Sequence, residues 1–488
     1  MLRLPLFFVL LFTCACACAS VDKQFQALQT KPNELYAFLK QMPKGGELHY
    51  HYDGAVYTET MLDLATQGQL CVHPLSLSSQ FCHDDPKALA IHNIIQNPSM
   101  MTKIVHAWSM QQLVPGQKSS HDHFFSVFPK VATFYTALKG PLLAAILKKA
   151  AKQHELYMEI IALGLAGDDD YAKLIQHEKD FSKKRAILLA NPKFQDSVQQ
   201  IVTQSETFLP AAQSALHCAT NPNQAACHIQ VNFQCYVRRV KSLDAVFAQA
   251  LAGFVAAEHA QKIVGINLLD IEDSTTAQSD YAQQMQIFEF LHAQYPHVHI
   301  ALHAGELYPK KIAPHKVNAP IRDAIVIGHA ERIGHGLDIT DEPNPNELAD
   351  MMAKKSVAVE VNLTSNHLIF GVHGKQHPLN FYLQHHVPVV LSTDDEGILR
   401  TDLTHEYLTA AREHHIDYAT LRQINRNTLT YGFIPGTSIW ADPQHAIPVS
   451  DCQILTSKTC QTFIKNNPKA SLQWQLEQEL AVFERQWA

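Results

Sequence analysis

Eight short β-rich runs recur along this 488-residue chain, and longer segments separate them. Many of those segments have helical patterns, such as Leu243–Gln261 and Thr276–Gln294. Strands that alternate with helices indicate parallel pairing through crossover helices. Eight such units predict an α/β fold, a closed (β/α)8 TIM barrel, with an open doubly wound sheet as the alternative. The eight runs are Leu48–Tyr52, Leu156–Ile161, Val231–Arg238, Val264–Leu269, His299–Ala304, Arg332–Gly336, Val357–Asn362 and Pro388–Thr393.

Two of the gaps between successive runs are much longer than a crossover helix. They lie at about residues 60–150, after the first run, and at about 165–228, after the second. We expect long inserted helical segments there, which form a lid or an interaction surface. Residues 20–42 have a helical pattern. The tail, about 400–488, is expected to be helical at first and irregular around Cys452–Cys460.

The first 19 residues have the pattern of a signal peptide. A positive start at Arg3 precedes an apolar run, Leu4 to Phe12, that is too short to span a bilayer as a helix. Small residues before Ser20 resemble a cleavage site. We therefore expect export, to the periplasm or outside the cell, and a single domain over residues 20–488. A lipid anchor in the leader remains an alternative, and its candidate positions are Cys14, Cys16 and Cys18.

Three of the ten cysteines lie in that leader, and seven follow it. Export permits disulfides, and three pairs are close in sequence within polar segments. The predicted pairs are Cys71–Cys82, Cys218–Cys227 and Cys452–Cys460. Cys235 lies within a strand-like run and is expected to be a buried free thiol. Spacing does not establish connectivity, and the alternative is that all seven are reduced.

Charge and hydropathy limit the partners of the chain. The net charge is −7, with 39 basic and 46 acidic residues, and gives no basic footprint for nucleic acid. Beyond the leader, no stretch is apolar and long enough to span a membrane. We expect a small-molecule ligand, no nucleic-acid partner and no membrane span. The oligomeric state stays open, a homodimer included.

Histidines and one aspartate stand where a barrel gathers its chemistry. His49 and His51 are two residues apart in the first run and therefore point to one face of the strand. His303, His335 and Asp394 lie at the ends of the fifth, sixth and eighth runs, and barrel enzymes place catalytic groups at such ends. Each residue alone fits a solvated turn or a packed core, whereas their joint placement indicates a metal site.

The donor types select the metal. Three imidazoles and one carboxylate suit Zn²⁺, with one coordination position left for water. The predicted ligands of this single ion are His49, His51, His303 and Asp394. Glu306 and His335 remain as proton-handling groups, because Glu306 follows His303 by three residues on the loop that leaves the same strand.

Six stretches of the chain together resemble the adenosine deaminase family, in its secreted, growth-factor-like and bacterial exported branches. They occur in the family's order over about residues 42–410. The stretches are 42–55 (MPKGGELHYHYDGA), 264–268 (VGINL), 303–306 (HAGE), 332–336 (RIGHG), 364–366 (TSN) and 391–395 (LSTDD).

The resemblance implies hydrolytic deamination of adenosine or 2′-deoxyadenosine to inosine or deoxyinosine, with release of ammonia. It implies the same zinc ligands and makes Glu306 the proton donor to purine N1. His335 would orient the attacking water, accept its proton and stabilise the developing charge. For substrate binding, Asp395 would contact N7, Asp53 the ribose, and Asp270 the purine through its backbone N–H.

The chain departs from the family pattern at two positions. Asp270 stands where a glycine is expected, which leaves the substrate scope open, and Glu396 stands where many relatives have proline. No lysine occurs in Val264–Leu269, which favours one metal ion over two. Two alternatives remain: a zinc deaminase of another 6-aminopurine, such as an N6-substituted adenosine or AMP, or a secreted non-catalytic binding protein on the same scaffold.

Overall fold

Parallel strands form the centre of the molecule, in two sheets of four strands each. The computed structural model describes residues 21–66, 68–307 and 319–487. Strands β1 to β4 pair in chain order in one sheet and β5 to β8 in the other, and every one of these ladders is parallel. The strands are β1 (Lys44–His51), β2 (Glu155–Leu163), β3 (Gln230–Arg238), β4 (Ile263–Leu269), β5 (Ala301–Ala304), β6 (Arg332–His335), β7 (Ala358–Val361) and β8 (Val389–Leu391).

Backbone hydrogen bonds at both edges join the two sheets into a closed barrel. The N–H of Ile266 in β4 donates to the carbonyl of His299, just before β5, at 3.0 Å. On the other side the N–H of His51 donates to the carbonyl of Asp394 at 3.0 Å, and the N–H of Asp394 donates to His49 at 3.3 Å. Because the last strand meets the first, the predicted barrel is confirmed and the open sheet is excluded.

Helices return the chain from the end of one strand to the start of the next. Leu243–His259 and Thr275–Gln294 follow β3 and β4, as predicted. The hydroxyls of Ser242 and Ser274 cap them by accepting from backbone N–H groups of the first turn. The later helices of the barrel are Pro320–Val326, Pro345–Lys355, Leu363–Phe370, Leu379–Gln384, Glu396–Leu399, Leu403–Glu413 and Tyr418–Tyr431.

The insertion between β1 and β2 contains a small sheet that the sequence patterns did not predict. Its antiparallel strands are Leu70–Val72, Ser79–Phe81 and Leu89–Ala90. Two or three residues are too few for an alternating pattern to stand out. The rest of the insertion is helical, as expected, in Thr58–Leu64, Ile91–Ile95, Pro98–Ala107, Lys118–Ala137 and Lys139–Lys152.

The second insertion and both ends of the described chain are mainly helical. Asp168–Ile175, Phe181–Leu189 and Pro192–Ala215 form the insertion between β2 and β3. The lead-in is helical at 21–28 and at Pro32–Gln41, as predicted. The tail was predicted wrongly at its end, because the chain forms a two-stranded ladder and two further helices there. These elements are Trp440–Asp442 with Ile447–Pro448, then Lys458–Asn466 and Pro468–Gln486.

Single turns of 3-10 helix interrupt several loops. They are Tyr52–Gly54, Ala225–Cys227, Ile339–Asp341, Gly374–Gln376 and Ser450–Cys452. The first of these follows β1 directly and therefore turns the chain at the mouth of the barrel.

Three disulfides lie outside the barrel strands. They join Cys71 to Cys82, Cys218 to Cys227, and Cys452 to Cys460, the pairs expected from spacing. Cys235 in β3 is buried with a free thiol. The leader and its candidate lipidation sites lie outside the described residues. In the described part of the chain, no helix combines the length and the apolar character needed to cross a bilayer.

Candidate metal centre and active site

The four predicted ligands meet at the mouth of the barrel. Nε2 of His51 lies 3.3 Å from Nε2 of His49 and 3.1 Å from Nε2 of His303. Oδ1 of Asp394 lies 3.3 Å from Nε2 of His49 and 3.2 Å from Nε2 of His51. Ligand atoms held at ~2.1 Å from one ion, at angles of about 90° to 110°, are separated by about 3.0 to 3.4 Å, and angles below the tetrahedral value leave room for a bound water. The donor atoms are therefore arranged as around one shared cation, and these four residues could together hold a metal ion.

Buried partners behind the ligands direct their free lone pairs inward. Nδ1 of His49 donates to Glu360 at 2.8 Å, and Nδ1 of His303 donates to Oδ1 of Asn267 at 2.7 Å. Both rings therefore keep Nε2 as the ligating atom. Ser365 donates its hydroxyl to Oδ2 of Asp394 at 2.7 Å, which leaves Oδ1 for the metal.

The protonation states of His303 and Asp394 agree with this use. Burial holds the pKa of His303 well below its usual value, and the neighbouring imidazoles lower it further. Burial would raise the pKa of Asp394, but the imidazoles of His49 and His51 beside it hold it well below its usual value. Burial lowers the pKa of His49, but the carboxylates of Asp394 and Glu360 raise it to about 9, so a metal ion would displace a proton from its Nε2. A neutral imidazole and an ionised carboxylate are the forms that ligate a metal.

A buried ionic chain continues from His49 into the barrel. Nε of Arg332 donates to Oε1 of Glu360 at 2.6 Å, and the same guanidinium is paired with Glu159. The side chains of Glu159 and Glu360 are fully buried and that of Arg332 nearly so. An unpaired charge at this depth would be costly, so each group requires the next. The row of ion pairs thus holds the His49 imidazole in place on the side away from the metal ligands.

Glu306 lies beside the metal ligands on the loop that leaves β5. Burial raises the pKa of its carboxyl well above the usual value, and the charges of Asp394 and Glu272 raise it further. A carboxyl group in such surroundings keeps its proton at neutral pH and can donate it.

A second buried pair holds the loop that carries Glu306. The carboxylate of Glu272 accepts the backbone N–H of Gly305 at 3.1 Å and that of Glu306 at 2.9 Å. NH1 of Arg239 lies 3.2 Å from Glu272, and NH2 donates to the carbonyl of His303. Arg239 and Glu272 therefore fix the position of this loop relative to the metal ligands.

His335 closes β6 with its ring directed at the same place. One of its ring nitrogens lies within 4.8 Å of the ligand atoms of His49, His303 and Asp394. Its Nε2 lies 3.6 Å from Oε1 of Glu306. His335 adopts a φ of 64°, a left-handed conformation that is rare for a non-glycine residue. Strained backbone of this kind concentrates at functional sites.

A cavity of about 470 Å³ opens above these groups. That volume is in the range of pockets for small organic ligands. Barrel strands supply its floor, and the helix Lys118–Ala137 of the first insertion supplies an apolar wall. The residues that line the cavity are His51, Asp53, Phe124, Phe125, Phe128, Pro129, Ala132, Ile161, Tyr236, Arg238, Leu269, Asp270, Ile271, His303, Glu306, His335, Asp394 and Asp395.

The three residues predicted to bind substrate all line this cavity. Asp395 is buried, and its Oδ1 has no hydrogen-bond partner within the described residues, so it is free to meet a ligand. A Cβ on Gly54 would lie 1.8 Å from that oxygen, so only glycine permits this placement. Asp53 is exposed beside it at the cavity edge.

The backbone conformation at Asp270 accounts for the glycine that the family pattern has at this position. Its φ is 92°, in the left-handed region that favours glycine. Oδ1 accepts the N–H of Ile271 at 3.0 Å, and Oδ2 accepts Nε of Arg238 at 2.7 Å. These two bonds hold the carboxylate at the cavity edge and engage the guanidinium of Arg238.

Known adenosine deaminases are similar to this chain in sequence. The sequence model of the adenosine deaminase family matches residues 200–439, which contain His303, Glu306, His335 and Asp394. An adenosine deaminase from Klebsiella pneumoniae (strain 342) is 31% identical over 204 residues, 42% of this chain and 57% of that protein. One from Escherichia coli (strain SMS-3-5 / SECEC) is 30% identical over 192 residues, 39% of this chain and 52% of that protein.

Residues 200–439 belong to the adenosine deaminase family. The chain aligns with about half the length of these curated relatives. The matched family segment begins after His49 and His51, so the first half of the metal site rests on the geometry.

Solved structures agree on the fold of this family member. The Arabidopsis protein ADAL, crystallised with IMP, covers 91% of this chain and 98% of its own, with 15% identity and a TM-score of 0.53. An adenine deaminase from Arthrobacter aurescens covers 89% and 98%, with 15% identity and a TM-score of 0.50. At this identity the likeness establishes the barrel architecture.

Sequence reasoning missed the groups that stand behind the ligands. Glu360 is the single acidic residue of β7, and Glu159 is the single acidic residue of the predicted run Leu156–Ile161. An acidic residue in an otherwise apolar run was the available signal for a buried partner. Arg239 and Glu272 carried no comparable signal, because they lie in polar segments at strand ends. The aromatic wall at Phe124, Phe125 and Phe128 was also missed.

Proposed function

We propose that this protein is an exported zinc deaminase that hydrolyses adenosine and 2′-deoxyadenosine to inosine and deoxyinosine plus ammonia. The observation that carries the proposal is the convergence of three imidazoles and one carboxylate beside the buried carboxyl of Glu306, at the floor of a cavity of nucleoside size. Each component of aminopurine hydrolysis has a group in place.

The donor set supports zinc. Nitrogen-rich cages with one carboxylate suit this ion. A bound zinc ion would lower the pKa of a coordinated water to ~7 and so supply a nucleophile at neutral pH.

Residues of the chain supply the remaining steps of the proposal. Glu306 gives its proton to purine N1, which draws electrons from the ring and makes C6 electrophilic. The oxygen of water then adds to C6, which becomes tetrahedral, and one proton of the water restores the carboxyl of Glu306. The proton of the new hydroxyl passes to the amino group, which leaves as ammonia as the C6 carbonyl forms. His335 faces the oxygen that adds and stabilises its charge.

Binding groups at the cavity edge orient the nucleoside in this proposal. Asp395 meets N7 through its unpartnered oxygen, and its carboxyl can hold a proton for that contact because burial raises its pKa well above the usual value. The backbone N–H of Asp270 donates to the purine, and Asp53 reaches the ribose. Phe124, Phe125 and Phe128 cover the apolar surface of the base.

The charges around the cavity favour a nucleoside over a nucleotide. Among the described residues, one guanidinium lines the cavity, that of Arg238, and it is already paired with Asp270. A 5′-phosphate would therefore find no free guanidinium or ammonium group among the described lining residues to receive it. This argues against AMP as the substrate. The presence of Glu306 as a proton donor argues against a protein that binds a nucleoside without hydrolysing it.

A substrate panel tests the proposal. The purified mature chain is given adenosine, 2′-deoxyadenosine, N6-methyladenosine and AMP, and turnover is followed by absorbance and by ammonia release. We expect the two unsubstituted nucleosides to have the highest kcat/KM and elemental analysis to find zinc. Turnover of AMP alone, turnover of N6-methyladenosine alone with release of methylamine, or turnover of none of the four would contradict the proposal.

Export is proposed from the leader and supported by the disulfide pairs. Mass spectrometry of the protein recovered from the periplasm or the medium tests it. We expect a mature N-terminus near Ser20 and six oxidised cysteines. An intact leader in a reduced cytosolic protein would contradict it, and a lipid mass on a leader cysteine would replace cleavage near Ser20 by anchoring.

A further inference from the structure

A chain of hydrogen bonds reaches His335 from the side away from the cavity. It begins at the backbone N–H of Leu379, which lies 3.1 Å from Nδ1 of His377. Nε2 of His377 lies 3.0 Å from Oδ1 of Asn366. Nδ2 of Asn366 then lies 3.3 Å from Nδ1 of His335. All four residues are buried, so water does not compete for these contacts.

The first donor sets the direction of every bond that follows. A backbone N–H can only donate, so Nδ1 of His377 accepts, and a neutral ring then carries its proton on Nε2. That proton is donated to Oδ1 of Asn366, which turns the NH2 of the amide toward His335. Nδ1 of His335 therefore accepts as well, and its ring proton resides on Nε2.

Both rings are neutral at ordinary pH. Nδ1 of each ring accepts a hydrogen bond, which a doubly protonated ring cannot do. Asn362 also lies 3.4 Å from Nδ1 of His335 through its amide nitrogen. Its Oδ1 has no partner among the described residues, so Asn362 does not set the direction. Asn366 sets the direction, because its amide oxygen accepts from His377 and its amide nitrogen donates to His335.

We infer that His377 and Asn366 are positioning residues that lock His335 as the Nε2–H tautomer, so that it meets the reacting centre as a hydrogen-bond donor. The inference rests on the proposed function. Nε2 of His335 faces Oε1 of Glu306 at 3.6 Å beside the cavity. A fixed donor there stabilises negative charge on the oxygen that adds to C6. Of the roles that the resemblance implies for His335, this geometry supports charge stabilisation over proton acceptance.

Asn366→Asp tests the direction of the chain with almost no change in size. A carboxylate only accepts, so it would draw the proton of His335 to Nδ1 and leave a lone pair at Nε2. We expect kcat to fall about 100-fold, the loss typical of removing one oxyanion donor, with KM and zinc content unchanged. Asn346→Asp makes the same exchange at an exposed position away from this chain of hydrogen bonds and should leave kcat unchanged.

A binding measurement separates this role from a structural one. Isothermal titration calorimetry compares inosine, whose C6 is planar, with a 6-hydroxy-1,6-dihydropurine ribonucleoside, whose C6 is tetrahedral and carries a hydroxyl. We expect Asn366→Asp to lose about 100-fold in affinity for the tetrahedral ligand only, since catalytic groups are complementary to the transition state. A merely distorted site would lose affinity for both ligands.

Two variants of His377 supply an independent check. His377→Gln offers an amide N–H where the ring donated, whereas His377→Phe has no donor and leaves Asn366 free to rotate. We expect the glutamine variant to retain at least about tenfold more kcat than the phenylalanine variant.

Several results would overturn the inference. The Asn366→Asp variant would do so by keeping a kcat close to that of the wild type, or by losing zinc. It would also do so by losing as much affinity for inosine as for the tetrahedral ligand. Equal kcat in the two His377 variants would also overturn it. A wild-type protein that releases no ammonia from any 6-aminopurine would instead overturn the proposed function, and this inference with it.

Discussion

The metal centre and the wall that faces it across the cavity are built in different ways. His49, His303 and Asp394 leave the ends of barrel strands, and each has a buried hydrogen-bond partner behind it. The wall comes from the inserted helix Lys118–Ala137, whose Phe124 contacts Phe125 and Phe128 edge to face. Its contacts are apolar and adaptable, whereas those of the metal centre are polar and directional.

This difference separates the determinants of chemistry from those of substrate choice. The barrel fixes which bonds can be made and broken, because strand register sets the distances between ligand atoms. The inserted helix lies outside the matched family segment, residues 200–439. Because this helix supplies the apolar wall of the cavity, the preference among aminopurines is expected to depend on it.

The largest effect is expected from Glu306→Gln, on the metal side of the comparison. Glutamine has a similar shape but cannot donate a proton to N1, so kcat should fall about 10³-fold. Zinc should stay bound, because Glu306 is not among the four converging ligands. Kinetics with elemental analysis measure both quantities, and Glu34→Gln, an exposed side chain, is the control. Turnover at the wild-type rate would rule out the proton-donor role.

Glu360→Gln probes the support behind the metal. The carboxylate that accepts from His49 and pairs with Arg332 would become a neutral amide. We expect zinc affinity to fall about 10- to 100-fold, as for other partners of metal-bound histidines. The melting temperature should fall as well, because Arg332 loses one of two buried carboxylates. Chelator competition and thermal unfolding check this, and unchanged zinc affinity would show that the ligands need no such support.

Phe128→Ala tests the wall. It removes apolar surface that covers the base, so KM for adenosine should rise about tenfold while kcat and zinc content hold. Phe81→Ala, in the same insertion but away from the cavity, is the matched control. A fall in kcat without a change in KM would show that the wall contributes to the chemical step and not to substrate binding.

The smallest effect is expected from Asp270→Gly. Glycine suits the φ of 92° at this position, and its introduction frees Arg238 from its ion pair. The kcat/KM for adenosine should change little, while the AMP-to-adenosine ratio of kcat/KM should rise at least about threefold, since an exposed ion pair contributes little but a freed guanidinium can meet phosphate. The two substrates are compared in parallel. A ratio that stays constant would show that Asp270 does not exclude anionic substrates.

The sequence predicted the barrel and its ligands because two simple rules coincide there. Alternation placed His49 and His51 on one face, and parallel strands bring His303 and Asp394 to the same end of the sheet. These rules say nothing of groups that contact a ligand from another strand. Glu360 and Asn267 were therefore read as parts of strands, without partners.

Local patterns also failed where an element was short or its role depended on distant contacts. The sheet at residues 70–90 has strands of two and three residues, below the length at which periodicity is visible. The helix Lys118–Ala137 could be inferred from its pattern, but nothing local indicates that its phenylalanines face a cavity formed by strands far along the chain. The hydrogen-bond chain behind His335 likewise depends on tertiary contacts.

Zinc titration of metal-depleted protein tests the central claim most directly. Ammonia release from adenosine is measured as zinc is added, with His303→Ala in parallel. We predict no turnover without metal, a linear rise that ends at one zinc per chain, and no recovery in the variant, because its cage lacks a ligand. Full turnover by metal-free protein, or equal recovery by His303→Ala, would contradict the account.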